Sequence, residues 1–115
     1  LSNKDGDLSL LFKNHNFVKF YINLKENRSE IIKDHKYNKS GIYLLYNRIN
    51  GHYYVGSSKN IANRMKNYLN ISNLEQKKNS NMPIVKALLK YGHINFSLFI
   101  IEYLSDKDLA KRETF

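Results

Sequence analysis

Two tyrosines and an arginine are the residues of this chain best suited to phosphate chemistry. Tyr43 ends the tripeptide Gly41-Ile42-Tyr43, Tyr54 opens Tyr54-Val55-Gly56, and Arg64 follows shortly after. A phenol both donates and accepts hydrogen bonds, and a guanidinium presents a planar fork of donors that matches a phosphate. For these groups to act together, residues 41–68 must bring them together. The stretch reads as a hairpin feeding a helix. In a first strand over Ser40–Asn47, Ile42, Leu44 and Tyr46 share one face, and Tyr43 and Leu45 the other. In a second strand over His52–Gly56, Tyr54 faces one way and Tyr53 and Val55 the other. Asn50-Gly51 between them predicts a tight reversal, because both residues tolerate positive φ. Ser57 or Ser58 is expected to cap a helix over Lys59–Leu69. Ile61 and Met65, with Tyr68 or Leu69, would be its inner stripe, and Asn60, Arg64 and Asn67 a polar stripe beside it. Taken singly, tyrosines on strands mostly pack and an arginine on an amphipathic helix is mostly solvated. Their joint placement is what suggests a site.

The remaining segments read as support. Residues 1–16 are polar apart from Leu8, Leu10, Leu11 and Phe12, and are expected to be a flexible end or a short docked element. Phe17–Tyr21 is too short to assign by period and could pair as an extra strand. Leu24–Lys36 predicts a helix, with Leu24, Arg28, Ile31 and Ile32 at helical spacing. Lys33, His35, Lys36 and Lys39 form a basic approach to the hairpin, equally consistent with phosphate contact and with a solvated linker. Asn70–Met82 reads as a polar loop. Pro83 fits the first position of a further helix, which Gly92 should end. Asn95–Tyr103 reads as a central strand, with Phe96, Leu98 and Ile100 alternating against Ser97, Phe99 and Ile101. A last helix is expected from Lys107, capped by Ser105 or Asp106 and carrying Glu113.

The fold class that follows is α+β: a small antiparallel or mixed sheet of about three strands flanked by helices, after a helical N-terminal lead. The organisation expected is residues 1–16 as a flexible segment, 17–39 as the lead, and 40–115 as the main domain. Because Leu1 is not an initiator, the chain is expected to be a fragment or a processed product.

Composition narrows the partners. Nineteen basic against 10 acidic residues give a formal charge of +9, which favours an anionic partner, nucleic acid first. No basic run forms a tail, so any binding surface must be assembled by folding. With no cysteine, disulfide scaffolds and thiolate zinc sites are excluded. His15, His35, His52 and His93 are scattered without ligand spacing. No apolar stretch is long enough to span a bilayer, and no membrane partner is expected. The abundance of lysine, asparagine, isoleucine and tyrosine is what AT-rich coding would produce.

The two tripeptides at this separation, the Asn-Gly turn, Ser57-Ser58, Arg64 and the later Glu113 resemble the GIY-YIG nuclease superfamily. Tyr21-Ile22-Asn23-Leu24, Ala87-Leu88-Leu89-Lys90-Tyr91-Gly92 and Asn95-Phe96-Ser97-Leu98 resemble its intron-encoded homing endonucleases of fungal mitochondria. The resemblance implies an endonuclease domain acting on double-stranded DNA as a monomer in the mitochondrion. It implies Tyr43 as general base or water-orienting group, Tyr54 as support for the nucleophile or phosphate, and Arg64 on the scissile phosphate. Glu113 would hold a single divalent ion, Mg²⁺ or Mn²⁺. Members usually continue past that glutamate and attach a separate DNA-binding module, so the domain is expected to be truncated at its C-terminus. Tyr68 falls where some members have a histidine. Lys39, Ser57, Ser58, Lys59, Lys66, Lys77, Lys78, Lys86 and Lys90 are candidate DNA contacts.

The chemistry leaves one question open. A free tyrosine titrates near pH 10, so a tyrosine base needs help. Arg64 and a cation would both favour the phenolate. Otherwise Tyr43 would position a hydroxide generated on the metal. Two rival readings remain: a nucleic-acid-binding module that has lost catalysis, and a purely structural fragment.

Overall fold

The computed structural model describes residues 17–37, 39–76 and 81–105. The expected flexible segment 1–16, Lys77 and Lys78, and the last helix with Glu113 lie outside them.

The described residues form one sheet of four antiparallel strands with helices packed on it. β1 is Lys19–Tyr21, β2 Gly41–Asn47, β3 Tyr53–Ser58 and β4 Phe96–Tyr103, in the spatial order β1-β4-β2-β3. The strand beyond the three expected is β1, the run whose period could not be assigned. Lys19, Phe20 and Tyr21 pair with Ile100, Phe99 and Leu98, so β4 is central as expected. Helix α1 spans Arg28–His35, α2 Ile61–Leu69, α3 Ile71–Leu74 and α4 Pro83–Tyr91.

Every residue of β2 is buried, because the sheet is covered on both faces. On one face Tyr43, Leu45, Leu98 and Ile100 pack against Ile31, Ile61, Met65, Ile84 and Leu88 from the helices. On the other, Leu44, Tyr46 and Phe99 pack with Phe17, Phe20 and Ile101. The two-residue alternation read from the sequence is the alternation between these two clusters.

Several boundaries differ from the sequence reading, each for a local reason. The hairpin reversal uses four residues, Arg48 to Gly51, closed by Asn47 N–H on the His52 carbonyl and Gly51 N–H on the Asn47 carbonyl, both at 2.8 Å. Of Asn50 and Gly51, only Gly51 takes positive φ, at 79°. Strand β3 runs on through Ser57 and Ser58, so neither serine caps α2. Asn60 does, its side-chain oxygen accepting from Asn63 N–H at 3.0 Å. The first helix starts at Arg28 because Asn23 and Asn27 fold residues 23–27 into turns: Asn23 Oδ1 accepts from Lys25 and Glu26 N–H, and Asn27 Oδ1 from Asn23 N–H. The polar stretch after α2 is not all loop. Asn70 donates back to the Asn67 carbonyl, caps α3 through Asn73 N–H, and lets Leu74 reach the core. Pro83 opens α4 and Gly92, at φ 86°, ends it.

His35 departs furthest from its reading. It belongs to no exposed basic approach but is fully buried. Its Nδ1–H donates to the Ile31 carbonyl at 2.7 Å, and Nε2 accepts from the Tyr103 hydroxyl at 2.8 Å. Burial lowers its pKa, so the ring is neutral and ties α1 to the end of β4.

Candidate active site

The two tripeptides form one piece of geometry. Tyr43 on β2 stands directly opposite Gly56 on β3, and their Cα–Cβ directions share a face of the sheet. A Cβ added at Gly56 would sit 2.6 Å from both Cζ and the hydroxyl oxygen of Tyr43, so the phenol lies across the bare backbone of that glycine. A Cβ at Gly41 would collide with the Glu102 carbonyl of β4, beside the register shift between Ile42 and Tyr43. Gly41 thus lets β4 close on β2, and Gly56 gives Tyr43 its resting place.

The Tyr43 ring is only 2% exposed. It meets Tyr68 of α2 edge-on, with centroids 6.3 Å apart, and the two hydroxyls are hydrogen-bonded at 2.9 Å. Arg64, one helical turn before Tyr68, is half-buried and lies close enough to both phenols to act on them electrostatically. A guanidinium only donates, so it cannot take up a phenol hydrogen. One phenol hydrogen bridges the two rings, and the other is left for an outside acceptor.

Burial pushes the Tyr43 phenol well above the usual tyrosine range, and the Tyr68 hydroxyl pushes it the same way. Arg64 favours the phenolate, as expected, but is outweighed. In the free protein Tyr43 is therefore a neutral phenol. Burial alone would lower the pKa of Arg64, yet its contacts with Tyr43 and Tyr68 raise it, so it remains a cation.

Arg64 and Tyr68 open onto a cleft of about 480 Å³. Ser57, Ser58, Lys59, Asn60, Asn63, Asn67 and Asn73 also line it, and among the described residues no acidic side chain does. Ser57, Ser58, Lys59 and Arg64 are thus brought together as the sequence suggested, and the expected polar stripe of Asn60, Arg64 and Asn67 is the cleft wall. Tyr54 is paired with Leu45 on the Tyr43 face, half-buried against the core, and does not line the cleft. Lys66 lines a shallower hollow beside it. Lys39 lies over the Tyr103 ring at 4.8 Å and Lys90 over Tyr91 at 5.2 Å. Lys86 is exposed on α4, and none of these three lines the cleft. Lys77, Lys78 and Glu113 are outside the described residues.

Sequence reasoning read Tyr68 as a candidate for the inner stripe and as the position where some family members have a histidine, and did not count it among the site residues. Its spacing of four from Arg64 puts the two on one helix face, and that was the available clue. His93, just past the end of α4, donates from Nε2–H to the Tyr68 carbonyl at 2.6 Å and holds the end of α2.

Residues 39–115 match the GIY-YIG catalytic domain: the chain belongs to the GIY-YIG nuclease superfamily. It is 35% identical over 83 residues to the probable intron-encoded endonuclease 1 of Neurospora crassa, an alignment covering 66% of this chain. The chain spans about a quarter of that relative's length, 25%. Among solved structures it is similar to the catalytic domain of intron endonuclease I-TevI, in a Glu-to-Ala mutant, with a TM-score of 0.51 and 32% identity over 65% of this chain and 76% of that one.

Proposed function

We propose that this domain hydrolyses phosphodiester bonds of double-stranded DNA, as the catalytic part of a homing-type endonuclease. The observation that carries the reading is the Tyr43–Tyr68–Arg64 network opening into a cleft that no described carboxylate lines. Such a cleft suits an anion. Arg64 lines the cleft beside the two phenols and has its donors to offer a phosphoryl oxygen, where they matter most as charge builds in the transition state. Tyr43 is shut from the cleft and held neutral, which favours positioning over base catalysis. If it donates to Tyr68, the Tyr68 hydroxyl keeps its own proton for the phosphate or for the attacking water. Tyr54 acts indirectly, through packing that supports the Tyr43 strand. Ser57, Ser58 and Lys59 contact the phosphate backbone at the rim. Lys39, Lys77, Lys78, Lys86 and Lys90 add affinity without sequence information.

Among the described residues no three His, Cys, Asp or Glu side chains cluster as a metal cage. A divalent ion here would rest on Glu113, helped by hydroxyl, amide and phosphate oxygens. That donor chemistry suits Mg²⁺ or Mn²⁺ bound weakly until DNA arrives. When bound, the ion supplies Lewis acidity and a more acidic water. Among the described residues no helix is long and apolar enough to cross a membrane. The mitochondrial location and the monomeric state belong to the same reading; the AT-biased composition supports the first.

The test is nicking of supercoiled plasmid with and without Mg²⁺. Metal-dependent nicking lost in Arg64→Ala and Glu113→Ala is expected. Full activity in either variant removes the assigned role. Salt-dependent binding with no cleavage would identify a module that has lost catalysis.

A further inference from the structure

The polar face of α2 does not stop at the cleft. Taking about 100° per residue, Arg64 is followed around the helix by Asn60, Asn67, Asn63 and finally Lys66, roughly 160° away. On a cylinder about 10–12 Å across, that arc is roughly 15 Å long, the span of a few nucleotides. Ile61, Met65 and Tyr68, on the opposite arc, are buried.

At the far end of the arc lies a second hollow of about 240 Å³ between α1 and α2. Asn60 and Asn63 line both hollows, so the two are neighbours on one helix face. Lys66 lines the second from α2, and Lys36 and Tyr37 line it from the end of α1. Among the described residues no acidic side chain lines either hollow.

Tyr37 is unusual in two ways. It is 86% exposed, the most exposed large apolar side chain among the described residues. It is also the one described non-glycine residue at positive φ, 69°, a conformation unfavourable for an aromatic residue. The Lys36 ammonium lies 5.3 Å from its ring centroid. The turn after α1 thus holds an aromatic ring outward, beside cations and a hollow that no described acid lines.

We infer that Lys36, Tyr37 and Lys66 form a second DNA contact, holding the strand that leaves the Arg64 cleft. The two lysines take phosphates and the Tyr37 ring packs on a sugar or base face. The inference rests on the nuclease reading but concerns binding, so it fails separately from it. It also explains the placement of α1, since the part of the chain before the hairpin supplies half of the track.

The experiment is duplex DNA binding across a salt series, using a short fluorescent duplex and purified protein. Lys36→Ala/Lys66→Ala should weaken binding about tenfold and flatten the log affinity against log salt slope by roughly 1.8, about 0.9 per lost phosphate contact. Lys25→Ala/Arg28→Ala removes the same charge from exposed positions lining neither hollow, and should change the slope far less. Equal effects of the two pairs would mean that net charge alone binds, and would overturn the inference. Tyr37→Asn, suited to left-handed backbone, should raise the melting temperature while weakening DNA binding severalfold. Full affinity in Tyr37→Asn would remove the ring from the contact. No salt-dependent binding by the wild type would sink the nuclease reading itself.

Discussion

Two buried polar clusters flank this sheet, each built on tyrosines, and they are finished in opposite ways. At the β1–α1 end, Tyr21 donates to Asp34 at 2.7 Å, Lys19 pairs with the same carboxylate at 3.3 Å, and Tyr103 donates to His35. Each donor there meets an acceptor, and charge meets countercharge. At the hairpin end, Tyr43 and Tyr68 meet Arg64 and, among the described residues, no acid. One phenol hydrogen and the guanidinium are left for something outside. The first cluster is closed and holds the fold together. The second is open, and the missing countercharge is what a phosphate would bring. Burial raises the pKa of both Tyr21 and Tyr43. A perturbed pKa therefore did not separate the structural cluster from the candidate site; the lack of a described acid beside the second cluster did.

Arg64 separates the two clusters most sharply. Arg64→Ala should lower plasmid nicking by about 10²–10³-fold, the range for losing a donor to transition-state charge, with a small change in melting temperature. His35→Ala should do the reverse. It leaves the Tyr103 hydroxyl without its acceptor and opens a cavity, costing about 2–4 kcal/mol in urea unfolding, with nicking per folded molecule nearly unchanged. Gly56→Ala should fall between the two. Its methyl would drive the Tyr43 phenol aside, costing about 1–3 kcal/mol as overpacking together with most of the activity.

The smallest effects are in pH dependence, and their signs differ. His35 is depressed from 6.5, so below that pH the unfolded chain binds a proton that the folded one refuses. Stability should fall as pH drops from about 6.5 toward the lower folded value, and His35→Gln should flatten that limb. Tyr21 and Tyr43 are raised from 10.0, so above that pH the unfolded chain loses protons first. Stability should fall as pH rises past about 10, by up to roughly 1.4 kcal/mol per pH unit for each ring. Tyr21→Phe and Tyr43→Phe should each remove one share, read by urea unfolding at stepped pH. Only Tyr43→Phe should also lower nicking.

The two clusters were not equally legible in the sequence. The open one sits in elements with strong local patterns: alternating strands, an Asn-Gly reversal, an amphipathic helix. Tyr43 and Arg64 could therefore be placed near each other, while Tyr68 was left as packing although its helical spacing from Arg64 was there to read. The closed one depends on partners far apart in the chain. β1 is three residues long, interrupted by a lysine, and exists as a strand because β4 offers it a ladder. His35 looked like one of several basic residues, since nothing local reveals that Tyr103 will meet it. The misplaced helix caps have a similar cause. Ser57 and Ser58 have suitable side chains, but pairing with Ile42 and Gly41 keeps them in the sheet and hands the cap to Asn60.

The position of β4 bears on how the protein is made. The strand that both β1 and β2 wait for is the last of the four to be synthesised, and Lys19 must hold out for Ile100. While the chain is still emerging from the ribosome, the hairpin can form alone, but β1 has nothing to pair with and the β4 side of Gly41 stays open. Pairing so distant in sequence slows folding. A nascent domain of this design lacks its full sheet until Tyr103 has cleared the exit tunnel.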